Sequence, residues 1–122
     1  MKKVLLVEDS MMIQNRIEQM LISLNKLMHI EIVDSAEDAL ELLAFKKIDI
    51  VLLDIKLPGK NGIELLKDLK RMYPTIKVIM ITNHFTEDYA SVCKVLGADA
   101  FIDKTTDVDK IPALVTQFSY AD

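Results

Sequence analysis

The chain has 122 residues, enough for one domain of ordinary size, and its 51% hydrophobic content supports a single well-buried core. A formal net charge of −4 and an isoelectric point near 5.1 offer no basic field, which excludes autonomous nucleic-acid binding. The one cysteine, Cys93, excludes an internal disulfide and suits a reducing compartment, and no stretch reaches membrane-spanning length.

Val4–Val7 is a short apolar run closed by the acidic pair Glu8-Asp9 and is predicted to be a buried strand. The lysines before it begin no signal peptide, because the apolar run is short and leads straight into carboxylates, so a cytoplasmic location is expected. Ser10 then caps a predicted helix with Ile13, Ile17, Met20, Leu21 and Leu24 at helical spacing. Ile30–Val33 reads as a second strand. Ser35, with Asp38 three residues on, has capping-box character and starts a second helix with Ala36, Ala39, Leu40 and Leu43 inward.

The stretch from Ile48 to Gly62 is the centre of the chain. Its run of Ile, Val and Leu ends abruptly in Asp54 and reads as a strand buried on both faces, the pattern of parallel sheets covered by helices. The exit loop, with Pro58, Gly59, Asn61 and Gly62, is dense in turn residues, and a third helix follows with Ile63, Leu66, Leu69 and Met72 on one side before Pro74 bars its continuation. Lys77–Ile81 is a fourth strand ending at Thr82. Thr86 caps a fourth helix with Tyr89, Val92, Cys93 and Leu96, stopped by Gly97. The apolar neighbours of Cys93 predict a buried, inert thiol. Ala100–Ile102 is a fifth strand running into Asp103 and Lys104, and Asp107 or Asp109 is expected to cap a last helix with Ile111, Leu114, Val115 and Phe118 inward.

Five strand–helix alternations imply an α/β doubly wound parallel sheet with right-handed crossovers. Pattern alone leaves the strand order open. With the order 2-1-3-4-5, the switch point falls between the first and third strands and brings Glu8-Asp9 beside Asp54. Clustered carboxylates need a compensating cation, and hard oxygen donors with a substrate phosphate are the Mg²⁺ style of coordination. Lys104 and Thr82, at neighbouring strand ends, supply a charge and a hydroxyl for a phosphoryl group, and Asp54 supplies a carboxylate nucleophile.

These residues resemble the receiver domains of two-component response regulators. Glu8-Asp9 is similar to the family's metal-binding pair, and Asp54 with Leu57-Pro58 and Asn61-Gly62 to its phosphoacceptor loop. Thr82 matches the switch hydroxyl, Phe101 the switch aromatic, and Lys104 after Gly97–Phe101 the family's lysine. The resemblance covers the whole chain, residues 1–122, and implies a flavodoxin-like fold that is no enzyme beyond its own phosphorylation and dephosphorylation, with no effector domain in the chain. It implies transfer of a phosphoryl group from a histidine kinase or histidine phosphotransfer protein onto Asp54. Mg²⁺, with Mn²⁺ as a substitute, would sit on Asp9, Asp54, Glu8 and the Lys56 carbonyl. Phosphorylation would draw in Thr82, turn Phe101 inward and change the face of the fourth helix, fifth strand and fifth helix. Output would pass to a protein target or a further domain, and receivers often dimerise through that face.

The chain departs from the family at Thr105, where proline after the lysine is common and brings a cis peptide. A non-proline cis bond costs about 3 kcal/mol, so a trans Lys104–Thr105 bond is expected. Lys56, Asn83 and His84 fall at positions that tune phosphoryl lifetime, and Lys56 is expected to shield the phosphoryl group from water. Tyr73 and Tyr120 read as packing or surface residues, and Met11, Met12 and Met80 as core or interface fillers. Two competing readings are a phosphorylation-independent binding module, and a small metal-dependent phosphohydrolase, which needs a second acid that Ile55 and Lys56 do not provide.

Overall fold

The computed structural model describes residues 2–24, 28–83 and 86–120. The strands are β1 (Lys2–Val7), β2 (Met28–Val33), β3 (Ile50–Asp54), β4 (Lys77–Thr82) and β5 (Ala100–Asp103). They form one parallel sheet in the order β2-β1-β3-β4-β5. The helices are α1 (Met11–Ile22), α2 (Ala36–Leu43), α3 (Gly62–Met72), α4 (Glu87–Val95) and α5 (Ile111–Ser119).

The alternation of side chains along a strand splits the core into two layers. Leu5, Val7, Val51, Leu53, Val78 and Met80 pack with α2, α3 and Cys93 of α4. Val4, Leu6, Ile50, Leu52, Ile79 and Ile81 pack with Ile17 and Leu21 of α1 and Ile111 and Val115 of α5. Every residue of β3 is buried, so the continuous apolar run of the sequence has the structural meaning expected of a central strand.

Four helix starts carry a side-chain cap. Ser10, Ser35, Asn61 and Thr86 accept the N–H groups of Ile13, Asp38, Glu64 and Tyr89. Asn61, assigned above only to a turn, is the cap of α3. The fourth helix ends in a Schellman motif: the Gly97 N–H donates to Lys94 and the Ala98 N–H to Cys93, with Gly97 at φ 102°.

One expectation needs correction, and several apolar side chains are more exposed than their helical spacing suggests. Neither Asp107 nor Asp109 caps α5; a 3₁₀ turn over Val108–Lys110 feeds the helix instead, and Asp107 pairs with Lys110 at 3.2 Å. Met72 is exposed at the end of α3, and on α4 Tyr89 and Val92 are exposed while Cys93 is fully buried. Met11 and Met12 are both exposed, so of the core-or-interface expectation only the interface part applies to them, whereas Met80 is in the core. Tyr73 is half-buried, with its hydroxyl donating to the Leu43 carbonyl at 3.5 Å, and Tyr120 is exposed.

Candidate functional site

Register alone gathers the polar strand ends. Val7 pairs with Leu53 and Asp54 with Ile81, so Glu8 follows β1 at the level of Asp54. Thr82 pairs with Asp103, and Lys104 comes next. Backbone bonds carry this alignment past the strands: the Glu8 N–H donates to Val33 at 3.0 Å, the Ile55 N–H to Ile81 at 3.3 Å, and the Lys104 N–H to Thr82 at 2.8 Å.

Among the described residues the buried polar side chains are Glu8, Asp54, Thr82 and Lys104, and all four lie at this end of the sheet. Lys104 Nζ donates to Glu8 Oε1 at 2.5 Å and to Asp54 Oδ2 at 3.0 Å, bridging the ends of β1 and β3. The other oxygens are engaged too: Glu8 Oε2 accepts the Ser10 N–H at 2.9 Å, and Asp54 Oδ1 accepts the Lys56 N–H at 3.3 Å. Asp9 is exposed, and one oxygen from each of Glu8, Asp9 and Asp54 falls within 4.8 Å of the others. With Met12, Ile13, Lys56 and Asn83 these residues line a cavity of about 310 Å³. A larger groove of about 500 Å³ lies between residues 43–48 and 72–76, at the opposite end of the strands, and has lysines but no carboxylate.

Burial pushes the carboxyl groups of Glu8 and Asp54 above their ordinary values, against the opposing pull of Lys104. For Lys104, burial is the largest single influence and acts downward, but the hydrogen bonds and charges of Glu8 and Asp54 together raise it. One buried ammonium therefore offsets only part of the charge of three carboxylates. Such a set is suited to a small, hard cation and to an incoming oxyanion.

The predicted residues at the ends of β1, β3, β4 and β5 come together here, and Phe101, within β5, does not. Phe101 lies away from the cavity, half-buried beside Ala90 and Lys94 in a shallow groove between α4 and β5. Lys56 and Asn83 are exposed at the cavity mouth, and His84 lies outside the described residues. No peptide bond among the described residues is cis, and Lys104–Thr105 is trans as expected. Sequence reasoning missed Gln14, whose side-chain amide donates to the Glu8 carbonyl at 2.6 Å and holds the acidic turn against α1. A polar residue one turn after the Ser10 cap is the only signal it leaves. Gly62 was read as a turn residue, yet a Cβ there would lie 2.0 Å from the Asp54 carbonyl oxygen, so α3 starts in contact with the backbone of Asp54.

A five-stranded parallel sheet with its polar cluster beyond the carboxyl ends, at the switch between β1 and β3, is a flavodoxin-like α/β fold. More narrowly, the chain belongs to the response regulator receiver domain family, whose profile matches residues 4–116. It is 31% identical over 117 residues to the response regulator GacA of Pseudomonas aeruginosa, covering 96% of this chain and 55% of GacA. With the DNA-binding transcriptional regulator NtrC of Escherichia coli it shares 38% over 82 residues, 67% of this chain and 18% of NtrC. The chain thus spans about half the length of GacA and less of NtrC. The crystal structure of a CheY-like receiver domain protein from Methanospirillum hungatei superposes with a TM-score of 0.86 at 28% identity, covering 98% of this chain and 94% of that one. No described helix is long and apolar enough to cross a membrane.

Proposed function

We propose that residues 1–122 act as the phosphoacceptor receiver of a two-component phosphorelay, with Asp54 as the acceptor. The observation that carries this reading is the Asp54 carboxylate at the end of the central strand, with Lys104 Nζ at 3.0 Å and the Glu8 and Asp9 oxygens close by. An Asp54 oxygen forms the new O–P bond as the P–N bond of a partner's phosphohistidine breaks, and the imidazole nitrogen keeps the electron pair and takes a proton. The partner is a histidine kinase or a histidine phosphotransfer protein. Lys104 neutralises charge on the phosphoryl oxygens, and Thr82 donates its hydroxyl to one of them.

The donor set fits Mg²⁺: hard carboxylate oxygens, no sulfur, and a surplus of negative charge beside one buried lysine, Lys104. Asp9 and Asp54 would hold the ion directly, Glu8 through water, and the Lys56 carbonyl would complete the protein ligands, with Mn²⁺ as a substitute. When bound, the ion supplies positive charge to the acidic cluster and to the phosphoryl oxygens. Lys56, Asn83 and His84 set the lifetime of the phosphorylated form by controlling access of water.

Output runs through Thr82 and Phe101 to the surface of α4, β5 and α5. The exposure of Tyr89, Val92 and Val95 on α4 supports a protein-binding face there, either for a downstream target, for a further domain, or for a second copy. The setting is cytoplasmic, and nucleic acid is not contacted directly.

Intact mass after incubation with Mg²⁺ and a small acyl phosphate tests the reading, with Asp54→Asn and a magnesium-free sample as controls. One added phosphoryl group that needs both Mg²⁺ and Asp54 is expected. Catalytic donor hydrolysis with no adduct would favour a phosphohydrolase. Neither adduct nor hydrolysis, and no binding of a stable phosphoryl mimic, would favour a binding module.

A further inference from the structure

The turn that presents Lys104 is tied by two side chains the functional reading leaves unused. Lys104 leaves β5 with its N–H on the Thr82 carbonyl at 2.8 Å, and its side chain runs inward to Glu8 and Asp54. On the outside of the same turn, Asp103 Oδ1 accepts two hydrogen bonds from Thr105, from the N–H at 2.7 Å and from the hydroxyl at 2.6 Å. The Asp103 carbonyl accepts the Asp107 N–H at 2.8 Å and closes the turn. The residues before and after Lys104 are thus joined to each other, in the manner of an Asx turn reinforced by a hydroxyl.

Apart from Lys104, whose side chain is buried, little of this turn is covered: Thr105 and Thr106 are exposed and Asp103 is half-buried. No ring restricts φ at residue 105 either, and the peptide is trans. The Thr105 hydroxyl and N–H hold the Asp103 carboxyl below the ordinary carboxylate range, as expected of a carboxylate that accepts both bonds. Lys104 must satisfy two carboxylates at the ends of different strands from one flexible stem. A displacement of about 1 Å at its Cα is the size of error that costs positioned groups their effect.

We infer that Asp103 and Thr105 form a clamp that positions Lys104, fixing the path of the turn so that the ammonium stays on Asp54 as well as on Glu8. The inference rests on the reading of Asp54 as phosphoacceptor and Lys104 as its charge partner. Asp103 and Thr105 are positioning residues and do not touch the phosphoryl group.

The test is the rate of phosphoryl uptake from a small acyl phosphate at saturating Mg²⁺, read by intact mass and normalised to the end-point stoichiometry of each protein. Asp103→Ala, which removes both bonds, is expected to slow uptake about tenfold, and Thr105→Val, which keeps the N–H donor, about threefold. Thr105→Ser retains both donors and is expected to match the parent. In a Lys104→Met background, Asp103→Ala is expected to have no further effect, the signature of a residue acting through another.

Three results would overturn the inference: parent-like rates for Asp103→Ala, a Thr105→Ser as slow as Thr105→Val, or equal slowing by Asp103→Ala with and without Lys104. Circular dichroism at the assay temperature separates the clamp from simple unfolding, and a rate loss that merely tracks lost folded protein counts against it. A parent that takes up no phosphoryl group overturns the functional reading and this inference with it. A phosphorylated parent with unaffected variants overturns this inference alone.

Discussion

Replacing the proposed acceptor by its neutral isostere, Asp54→Asn, is expected to make the metal-free protein more stable. Asp54 is 4% exposed and has Lys104 Nζ at 3.0 Å, with Glu8 and Asp9 oxygens within 4.8 Å. At an effective dielectric constant near 20, the lysine attracts the Asp54 carboxylate by about 5 kcal/mol and Glu8 repels it by about 3 kcal/mol. Asp9 is exposed and adds a smaller, solvent-screened repulsion. The repulsions cancel more than half of the attraction, and what remains does not offset the desolvation of Asp54. This agrees with the upward displacement of its carboxyl, for which burial is the leading cause. Asn keeps the shape and removes the charge, and a gain of about 1 to 2 kcal/mol corresponds to a midpoint about 3 to 8 °C higher.

The sign with pH follows from linkage. A carboxyl whose folded value is raised makes the folded state bind more protons than the unfolded one, so parent stability falls as pH rises through that window. The window opens near the ordinary 3.8 and closes at the raised folded value. The advantage of Asp54→Asn is therefore absent well below pH 3.8 and complete above the folded value. Thermal unfolding in EDTA at several pH values measures it. Millimolar Mg²⁺ is expected to stabilise the parent more than the variant and to narrow the gap. A variant equally or less stable than the parent in EDTA at neutral pH would refute this charge balance.

Other outcomes follow from single contacts. Gly62→Ala places a Cβ 2.0 Å from the Asp54 carbonyl oxygen and 2.7 Å from Ile55 Cα, so about 3 kcal/mol of stability is expected to be lost, read as a lower urea midpoint. An unchanged midpoint would mean that the α3 start is not fixed against the strand. Lys56→Ala, at the exposed mouth of the cavity, is expected to hasten loss of the phosphoryl group a few-fold. An unchanged or slower decay, followed by mass, would remove the shielding role. Cys93 is fully buried and its thiol is pushed upward by burial, so a disulfide reagent is expected to label it only as fast as the protein opens. Labelling at the rate of a free thiol in native buffer would contradict its place in the core.

What the sequence made legible was set by burial. β1, β3 and β4 are covered on both faces, so their apolar runs are unbroken and their polar ends stand out: Glu8, Asp54 and Thr82 were found because each ends such a run. Lys104 follows an edge strand of only four residues, and its place came from the family resemblance as much as from pattern. The fourth helix misled because the spacing of Tyr89, Val92, Cys93 and Leu96 is helical whether or not a sheet lies beneath all four. The narrow edge at β5 gives full cover only to Cys93. Asp107 looked like a cap because a short carboxylate before a helix usually is one, but its oxygen faces Lys110. Gln14 and Asp103 left no signal, and Thr105 stood out only for the missing proline, for a common reason. A polar residue has the same local sequence whether its partner is water or another group of the protein, and only the tertiary path decides.

The distribution of polar groups explains why one fold can carry this site without losing its structure. Among the described residues no buried side-chain nitrogen or oxygen lacks a partner, and the buried charges are confined to the mouth of the sheet. Below that mouth, from Val4 to Val7 and from Ile50 to Leu53, the strands bury only aliphatic side chains, each worth about 1.5 to 3 kcal/mol when fully covered. A frustrated cluster at the strand ends can therefore be strained by desolvation while the layers beneath it hold the strands in register. The same division sets how a signal would travel. Neutralising the cluster changes forces on Lys104, whose N–H is fixed to Thr82, and Thr82 and Lys104 bracket the end of β4 and the start of the turn into α5. On the proposed phosphoacceptor reading, a change of charge at Asp54 would act at the β5 edge of the sheet, where the covering helix leaves Tyr89, Val92 and Val95 exposed.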